Sequence, residues 1–183
     1  MNEIGLVPSQ QEQADRLAIQ EVIFSHCRGL DRVDVDHLKQ CYWSDAEVNY
    51  GFFKGNAHEF CTLITNGIVR NRATHHQVSN ILVSIEGNDA VVESYVTAYH
   101  HQPEGQATEM TYFGRYVDHF QKRTEPRGDV WKMMFRHVVM DWNQNLTTTD
   151  DMETGSLSAI DQSARKPDDP LYKLQEKILG ATD

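Results

Sequence analysis

The sequence predicts an α+β fold in which helices pack across a curved, mainly antiparallel sheet and so form a cone. Helical patterns are concentrated between Gln10 and Val69, where they surround a single strand. The segment from Thr74 to Trp142 alternates apolar and polar residues with the period of half-buried strands. Helices followed by successive strands are typical of α+β domains. The mouth of such a cone is where a small molecule would bind.

Three helices and one strand are predicted before the main part of the sheet. Apolar residues recur at spacings of three and four over residues 10–30, which predicts a first amphipathic helix. His26 lies on its apolar face, where a histidine is more often a core residue than a catalyst, and Asp31 follows the helix. The further predicted elements are a short helix over Asp34–Trp43, a strand over Glu47–Phe53 and a helix over Ala57–Val69.

A β-hairpin is predicted from two alternating runs, Thr74–Glu86 and Ala90–Gln102, on either side of Gly87-Asn88-Asp89. One histidine pair begins the first strand and another ends the second, namely His75-His76 and His100-His101. Since antiparallel strands run in opposite directions, all four imidazoles are expected at one rim. Successive strand residues point to opposite faces, so one histidine of each pair is expected to face inward. This predicts a candidate acid/base site; the alternative is a solvated edge with chance histidines.

Two further long strands are predicted, over Thr108–Gln121 and Asp129–Trp142. Gly114, inside the first of them, indicates a bend or bulge. Strict alternation in the second strand puts Arg136 on the face opposite Trp131.

The composition changes from Asn143 onward, where threonine, serine and acidic residues leave little to pack. We therefore predict a cone domain over residues 1–142 and a C-terminal tail over residues 143–183. The tail is expected to be extended or mobile over residues 143–168. A terminal helix is predicted over Leu171–Leu179.

Composition excludes several classes of function. The net charge of −10 argues against nucleic acid and anionic membranes, because both need a basic face on the protein. No apolar run reaches the roughly 18 residues of a membrane span, and the N-terminal residues lack a secretory signal. The three cysteines are widely spaced and no paired metal-ligand motif occurs, so no metal site is predicted and a reducing, cytoplasmic location is expected.

Several segments in order resemble the SnoaL-like branch of the nuclear transport factor 2 superfamily. They are CRGLDRVDVDHLKQCYWSDAEVNY, THHQVSN, AVVESYVTAYHH, GRYVDHF, WKMMFRHVVMDW and KPDDPLY. The resemblance implies a cystatin-like α+β cone. Members include scytalone dehydratase, bile-acid 7α-dehydratase and a hexachlorocyclohexane dehydrochlorinase, and the same cone hosts several other reactions, so the fold alone fixes no chemistry.

The resemblance implies an Asp–His dyad like that of the lyases in this group. Asp31 matches the acid at the end of the first helix, and His76 matches the base at the start of the strand after the third helix. Tyr50 matches a tyrosine that the dehydratases add from the first strand. His101, or Tyr99 on the same face, matches a polar residue at the end of the next strand.

Such a dyad would remove a proton from carbon without a metal or redox cofactor. Asp31 would fix the tautomer of His76 and raise the basicity of its other ring nitrogen. Tyr50, His101 or Arg136 would then polarise an oxygen or a leaving hydroxyl. The alternative for Arg136 is the ordinary case of an exposed arginine on an edge strand.

We therefore predict a cofactor-independent dehydratase-type lyase or isomerase that acts on a small hydrophobic, polycyclic or aromatic substrate. His26, which replaces a tyrosine of the bile-acid enzyme, is included among the substrate-binding residues and points to a different substrate. The alternatives are a non-catalytic binder of an apolar ligand and the small (β) subunit of a ring-hydroxylating dioxygenase, neither of which needs the dyad. Relatives pair their sheets or form trimers, so a homodimer or homotrimer is expected, without nucleic acid or membrane partners.

Overall fold

The computed structural model describes residues 4–102, 109–149, 154–155 and 158–180. Within these residues, four helices and six strands follow one another in the order α1, α2, β1, β2, α3, β3, β4, β5, β6, α4. Their bounds are α1 Gln10–Asp31, α2 Val35–Gln40, β1 Tyr42–Asn49, β2 Lys54–Asn56, α3 Ala57–Ile68, β3 Ala73–Glu86, β4 Asp89–His101, β5 Glu109–Glu125, β6 Gly128–Leu146 and α4 Pro170–Leu179. The predicted mixed α+β cone is confirmed. Within the described residues, no helix is long and apolar enough to cross a membrane.

The helices begin where side chains cap their free N–H groups. Ser9 accepts a hydrogen bond from the Glu12 N–H at the start of α1, and Asn56 caps α3 through the His58 N–H. α1 presents an apolar stripe to the core, in which Ile19 and Ile23 are fully buried. The first strand begins at Tyr42, five residues before the predicted start at Glu47. Helix α2 ends at Gln40, and Tyr42 and Trp43 are already buried as the first residues of β1.

The six strands form one sheet in the order β2-β1-β6-β5-β4-β3. β3 to β6 form the predicted antiparallel meander, and β1 pairs with β6 in parallel. β3 lies at one edge, where α1 packs against it. Arg16 of α1 donates a hydrogen bond of 2.8 Å to the outward carbonyl of Val83 on this edge.

Bulges change the phase of two strands. β3 carries one extra residue between Ser79 and Leu82, where Asn80 adopts a positive φ of 48°. Asparagine tolerates this left-handed conformation better than most residues. The bulge shifts the pairing of residues 73–79 with β4 by one position. Their side chains therefore point to the opposite face of the sheet from the one that the hairpin turn alone would give.

β6 is bulged against β5 at two places, next to Gly114 and next to Phe120. The first confirms the predicted irregularity at Gly114, where a Cβ would overlap the carbonyl of Val139 and the hydroxyl of Tyr112. The second brings both Met133 and Arg136 to the interior of the cone. The predicted strict alternation of β6 is wrong, because the extra residue between them reverses the facing of the strand.

The chain beyond Trp142 is more ordered than predicted in the part that the structure describes. β6 continues to Leu146, and α4 is found where a terminal helix was expected. Residues 164–172 dock on the turn after α1, with Arg32 donating to the carbonyl of Ala164 and to Asp169 at 2.9 Å each. Residues 164–168 belong to the part of the tail that was expected to be extended or mobile; they form no helix or strand, but hydrogen bonds and ion pairs hold them against the turn after α1.

Candidate active site

Asp31 and His76 form a hydrogen-bonded dyad at the open end of the cone. Oδ1 of Asp31 lies 2.7 Å from Nδ1 of His76, and Oδ2 accepts the backbone N–H of His76 at 2.9 Å. Both side chains are nearly buried, with exposed fractions of 9% and 6%. The carboxylate therefore binds the imidazole and fixes the backbone that carries it, which leaves Nε2 as the free ring nitrogen.

The surroundings keep Asp31 ionised. Burial would raise the pKa of its carboxyl group, but hydrogen bonds from His76 and Thr74 and the charge of His76 outweigh this effect, so the pKa lies below its usual value. An ionised Asp31 can accept the Nδ1 proton of His76, which is the arrangement that makes Nε2 a base.

His76 of the dyad borders a cavity of about 510 Å³ inside the mouth of the cone. His76 and Tyr50 contribute to its wall, together with two histidines from β4 and β6, His100 and His137. The remaining lining side chains are mainly apolar or aromatic: Leu30, Phe52, Ile64, Ile68, Ala98, Met110, Tyr112, Tyr116, Val138 and Met140. A cavity of this size and character is typical of small-molecule sites.

His100, rather than His101, faces the cavity. Its ring lies 5.4 Å from that of His76 in an edge-to-face arrangement, and its Nδ1 is buried without a hydrogen-bond partner among the described residues. Burial, with a smaller effect of the neighbouring His76, lowers the pKa of His100 to about 4. His100 is therefore neutral near pH 7 and adds a polar, uncharged group beside the dyad.

The structure does not bring Tyr99 and His101 into the cavity. Tyr99 is exposed on the other face of β4, where its ring lies 6.2 Å from that of His75. His101 shares that face, and its Nε2 lies 3.2 Å from the hydroxyl of Thr148. The bulge in β3 is the physical reason, since it pairs His76 with Ala98 instead of Tyr99.

Arg136 is buried in the floor of the cone and is not an exposed edge residue. β6 lies between β1 and β5, and Arg136 makes a two-point ion pair with Asp118 at 2.8 and 2.6 Å. Asp118 raises the pKa of Arg136 well above its usual value despite burial. Its guanidinium lies 3.8 Å from the ring of Tyr116, which separates it from the cavity.

His26 belongs to the same buried network. Nη1 of Arg136 lies 3.0 Å from Nδ1 of His26, and the hydroxyl of Tyr42 lies 3.0 Å from Nε2. Burial and the charge of Arg136 lower the pKa of His26 well below its usual value, so it is neutral at pH 7. Neither His26 nor Arg136 lines the cavity; both lie behind its wall.

Tyr50 joins the wall of the cavity to this network. Its ring stacks on Phe60 with centroids 3.9 Å apart. Its hydroxyl is buried without a hydrogen bond of ordinary geometry in the described part of the chain. Burial raises the pKa of Tyr50 to about 12, although the charge of Arg136 opposes the rise. Tyr50 is therefore protonated near pH 7, with its hydroxyl close to Arg136 and Tyr42.

Substitution of Tyr50 by Phe is expected to leave the ligand-free protein as stable as before or more stable, by up to about 1 kcal/mol, because a buried unsatisfied hydroxyl disfavours folding. Turnover of a substrate that uses this hydroxyl should fall. Urea unfolding and a turnover assay measure the two effects. Tyr42→Phe is the matched control, since the Tyr42 hydroxyl is bonded to His26 and its loss should destabilise. A destabilised Tyr50→Phe variant with normal turnover would assign Tyr50 a structural role.

An α+β cone with polar side chains on the wall of an apolar cavity defines a nuclear transport factor 2-like domain. The sequence model of the SnoaL-like domain matches residues 11–137, and the chain belongs to this family. A search of curated proteins finds no match.

Solved structures with the same fold include a proposed scytalone dehydratase from Novosphingobium aromaticivorans, with a TM-score of 0.65 and 21% identity over 75% of this chain and 91% of that one. A hexachlorocyclohexane dehydrochlorinase from Novosphingobium barchaimii gives a TM-score of 0.64 and 22% identity over 74% of this chain and 92% of that one. A proposed aromatic ring hydroxylase from N. aromaticivorans gives a TM-score of 0.62 and 21% identity over 78% of this chain and 96% of that one. At these identities the likeness establishes the fold.

Proposed function

We propose that this protein is a cofactor-independent lyase of the dehydratase type, or an isomerase, in which Asp31 and His76 act as a general-base dyad. The observation that carries the proposal is the 2.7 Å contact between Asp31 and Nδ1 of His76, whose side chain lines a mainly apolar cavity. A solvated edge with chance histidines would not bury this pair or give its carboxylate hydrogen bonds from both the ring and the backbone of His76.

The reaction begins when Nε2 of His76 takes a proton from a carbon next to a carbonyl or ring system. The C–H electron pair becomes the new double bond. In an elimination the leaving hydroxide departs as water with a proton from Tyr50 or from His76; in an isomerisation the proton returns to another carbon. Asp31 stabilises the imidazolium that forms, and His100 is placed to hold a substrate oxygen.

The cavity supports a small hydrophobic substrate with a polycyclic or aromatic skeleton. Apolar and aromatic side chains dominate its wall, and its volume falls in the range of about 300–1,000 Å³ that suits drug-sized ligands. The fold neighbours named as a dehydratase and a dehydrochlorinase both carry out eliminations by name, which agrees with the proposed chemistry.

We extend the proposal to the assembly and location of the protein. Exposed apolar side chains on the outer face of the sheet, among them Val91, Tyr95 and Trp142, support a homodimer or homotrimer. Three buried free cysteines support a reducing, cytoplasmic environment.

The test is hydrogen exchange at carbon. Hydroxylated steroids and polyketide-like aromatics are incubated with the protein in D₂O, and mass spectrometry follows product and deuterium in the recovered substrate. A base at His76 predicts product, or deuterium at the carbon beside the activating group, with the wild type and not with His76→Gln. A compound that raises the melting temperature but yields neither product nor deuterium would identify a non-catalytic binder instead.

A further inference from the structure

Arg165, far along the chain from the cone, reaches the structural elements that hold the dyad. Its Nη1 donates to the backbone carbonyl of Asp31 and, at 3.0 Å, to the hydroxyl of Thr74. Its Nη2 donates to the carbonyl of Asn71 at 3.1 Å. One guanidinium thus ties the end of α1, which carries the acid, to the start of β3, which carries the base.

Thr74 transmits this contact to the carboxylate. It is buried on β3 two residues before His76 and therefore shares its face. Because the hydroxyl of Thr74 accepts a hydrogen bond from Arg165, its own proton is free to point toward an acceptor, and its hydrogen-bonding effect on Asp31 lowers the pKa of that carboxyl group. The Asp31 carboxylate therefore has two hydrogen bonds from His76, through its ring and its backbone N–H, and the Thr74 hydroxyl as a neighbouring donor that lowers its pKa.

Arg165 belongs to residues 164–172, which we call the C-terminal brace. It is held independently of the dyad by Arg32, which binds Asp169, and by Asp34, which binds Lys166 at 3.0 Å and Tyr172 at 3.1 Å. These contacts all fall on the turn after α1. The brace is therefore anchored beside Asp31, and only Arg165 extends from it to the dyad.

We propose that Arg165 and Thr74 are positioning residues for the Asp31–His76 dyad, and that the C-terminal brace is part of the active site rather than an appendage. The proposal rests on the proposed function for its catalytic consequence. Its structural core, that Arg165 and Thr74 fix the orientation of Asp31 and hence the hydrogen-bonded proton on Nδ1 of His76, stands without a substrate.

The experiment uses the full chain with four variants and one control. Arg165→Met and Thr74→Val remove the contacts with little change in volume, and Arg165→Lys and Thr74→Ser are the conservative replacements. Lys173→Met is the matched control, because it removes an exposed charge directly after the brace and leaves the contacts that anchor the brace in place.

The first readout is NMR of the substrate-free protein, in which the ring nitrogens of His76 report the tautomer and the Nδ1 proton reports its exchange with water. We expect Thr74→Val and Arg165→Met to speed this exchange at least tenfold and to lower the share of the Nδ1–H tautomer. Thr74→Ser and Lys173→Met should match the wild type, and Arg165→Lys should restore part of the protection. Wild-type exchange in a folded Thr74→Val variant would overturn the proposal, even if Arg165→Met failed to fold.

The second readout is kinetic. Misplacing the dyad without touching the cavity should lower kcat by about 10- to 100-fold and leave KM within about twofold. If the NMR changes occur while no compound is turned over by the wild type, the positioning role holds and the proposed function fails. If turnover is found and all variants keep the wild-type kcat, Arg165 and Thr74 are structural only.

Discussion

Replacement of His76 by Gln is expected to lower kcat by on the order of 10²–10⁴-fold for any substrate that the wild type converts, the usual contribution of a positioned general base. Glutamine keeps a polar side chain of similar length but cannot take up a proton. KM should change little, because the apolar wall that binds the substrate is left intact. Steady-state kinetics with matched thermal melts measures the effect.

Two further variants define the role of the pair. Asp31→Asn should lower kcat similarly, because an amide can no longer stabilise the imidazolium of His76. His75→Gln is the matched control, since His75 neighbours the base along the chain but is exposed beside Tyr99 and does not line the cavity. Equal losses of kcat in His75→Gln and His76→Gln would mean that a disturbed strand, and not the loss of the dyad, lowers the rate.

Substitution of Arg136 by Met is expected to reduce the free energy of unfolding by about 3–5 kcal/mol, because it leaves Asp118 buried without its ion-pair partner. Both side chains are fully buried, so water cannot replace the lost contact. Burial raises the pKa of Asp118 and only Arg136 opposes the rise, so Asp118 is expected to take up a proton in the variant. Urea unfolding followed by circular dichroism gives the change.

The control for Arg136 is a pair of the same geometry at the surface. Arg123 binds Asp45 through two contacts of 2.9 and 3.0 Å, but Asp45 is exposed to solvent and Arg123 is only half-buried. Arg123→Met should therefore change stability far less. The double variant Arg136→Met with Asp118→Leu should recover part of the loss, since no buried charge remains. A double variant no more stable than Arg136→Met would attribute the loss to packing around Tyr116 instead.

The dyad was predicted from the resemblance to the SnoaL-like family, and local sequence patterns were sufficient to place the two elements that carry its members. Asp31 follows a helix with clear periodicity, and His76 begins a strand with clear alternation, so an approximate placement of each element suffices. The antiparallel hairpin could likewise be predicted from its turn residues. These predictions depend on short-range patterns, which tolerate errors of one or two residues in the bounds of an element.

The inward orientation of His100 and Arg136 could not be predicted, because bulges decide which face of the sheet each side chain points to. Counted from the hairpin turn, His76 would pair with Tyr99, and His101 would share the face of His76. The extra residue beside Asn80 shifts the pairing to Ala98 and brings His100 inward. Likewise, the extra residue of β6 turns Arg136 toward Asp118. A bulge depends on neighbouring strands, and a single sequence carries only weak signs of it.

The brace also escaped prediction, for a different reason. Its contacts are ion pairs and hydrogen bonds between residues more than 90 positions apart, such as those of Arg165 with Asn71 and Thr74. Hydrophobic periodicity, on which the reading of the tail depended, does not report such pairs.

The hydrogen bond from the backbone of His76 to Asp31 has a consequence for aggregation. β3 is an edge strand, and an uncovered edge invites strands of other molecules to pair with it. Helix α1 occupies two outward backbone groups of this edge, the Val83 carbonyl through Arg16 and the His76 N–H through Asp31. The proposed catalytic carboxylate thus also blocks edge-to-edge association. Selection at position 31 would then act on solubility as well as on chemistry, which would preserve an acid there even in a relative that had lost its reaction.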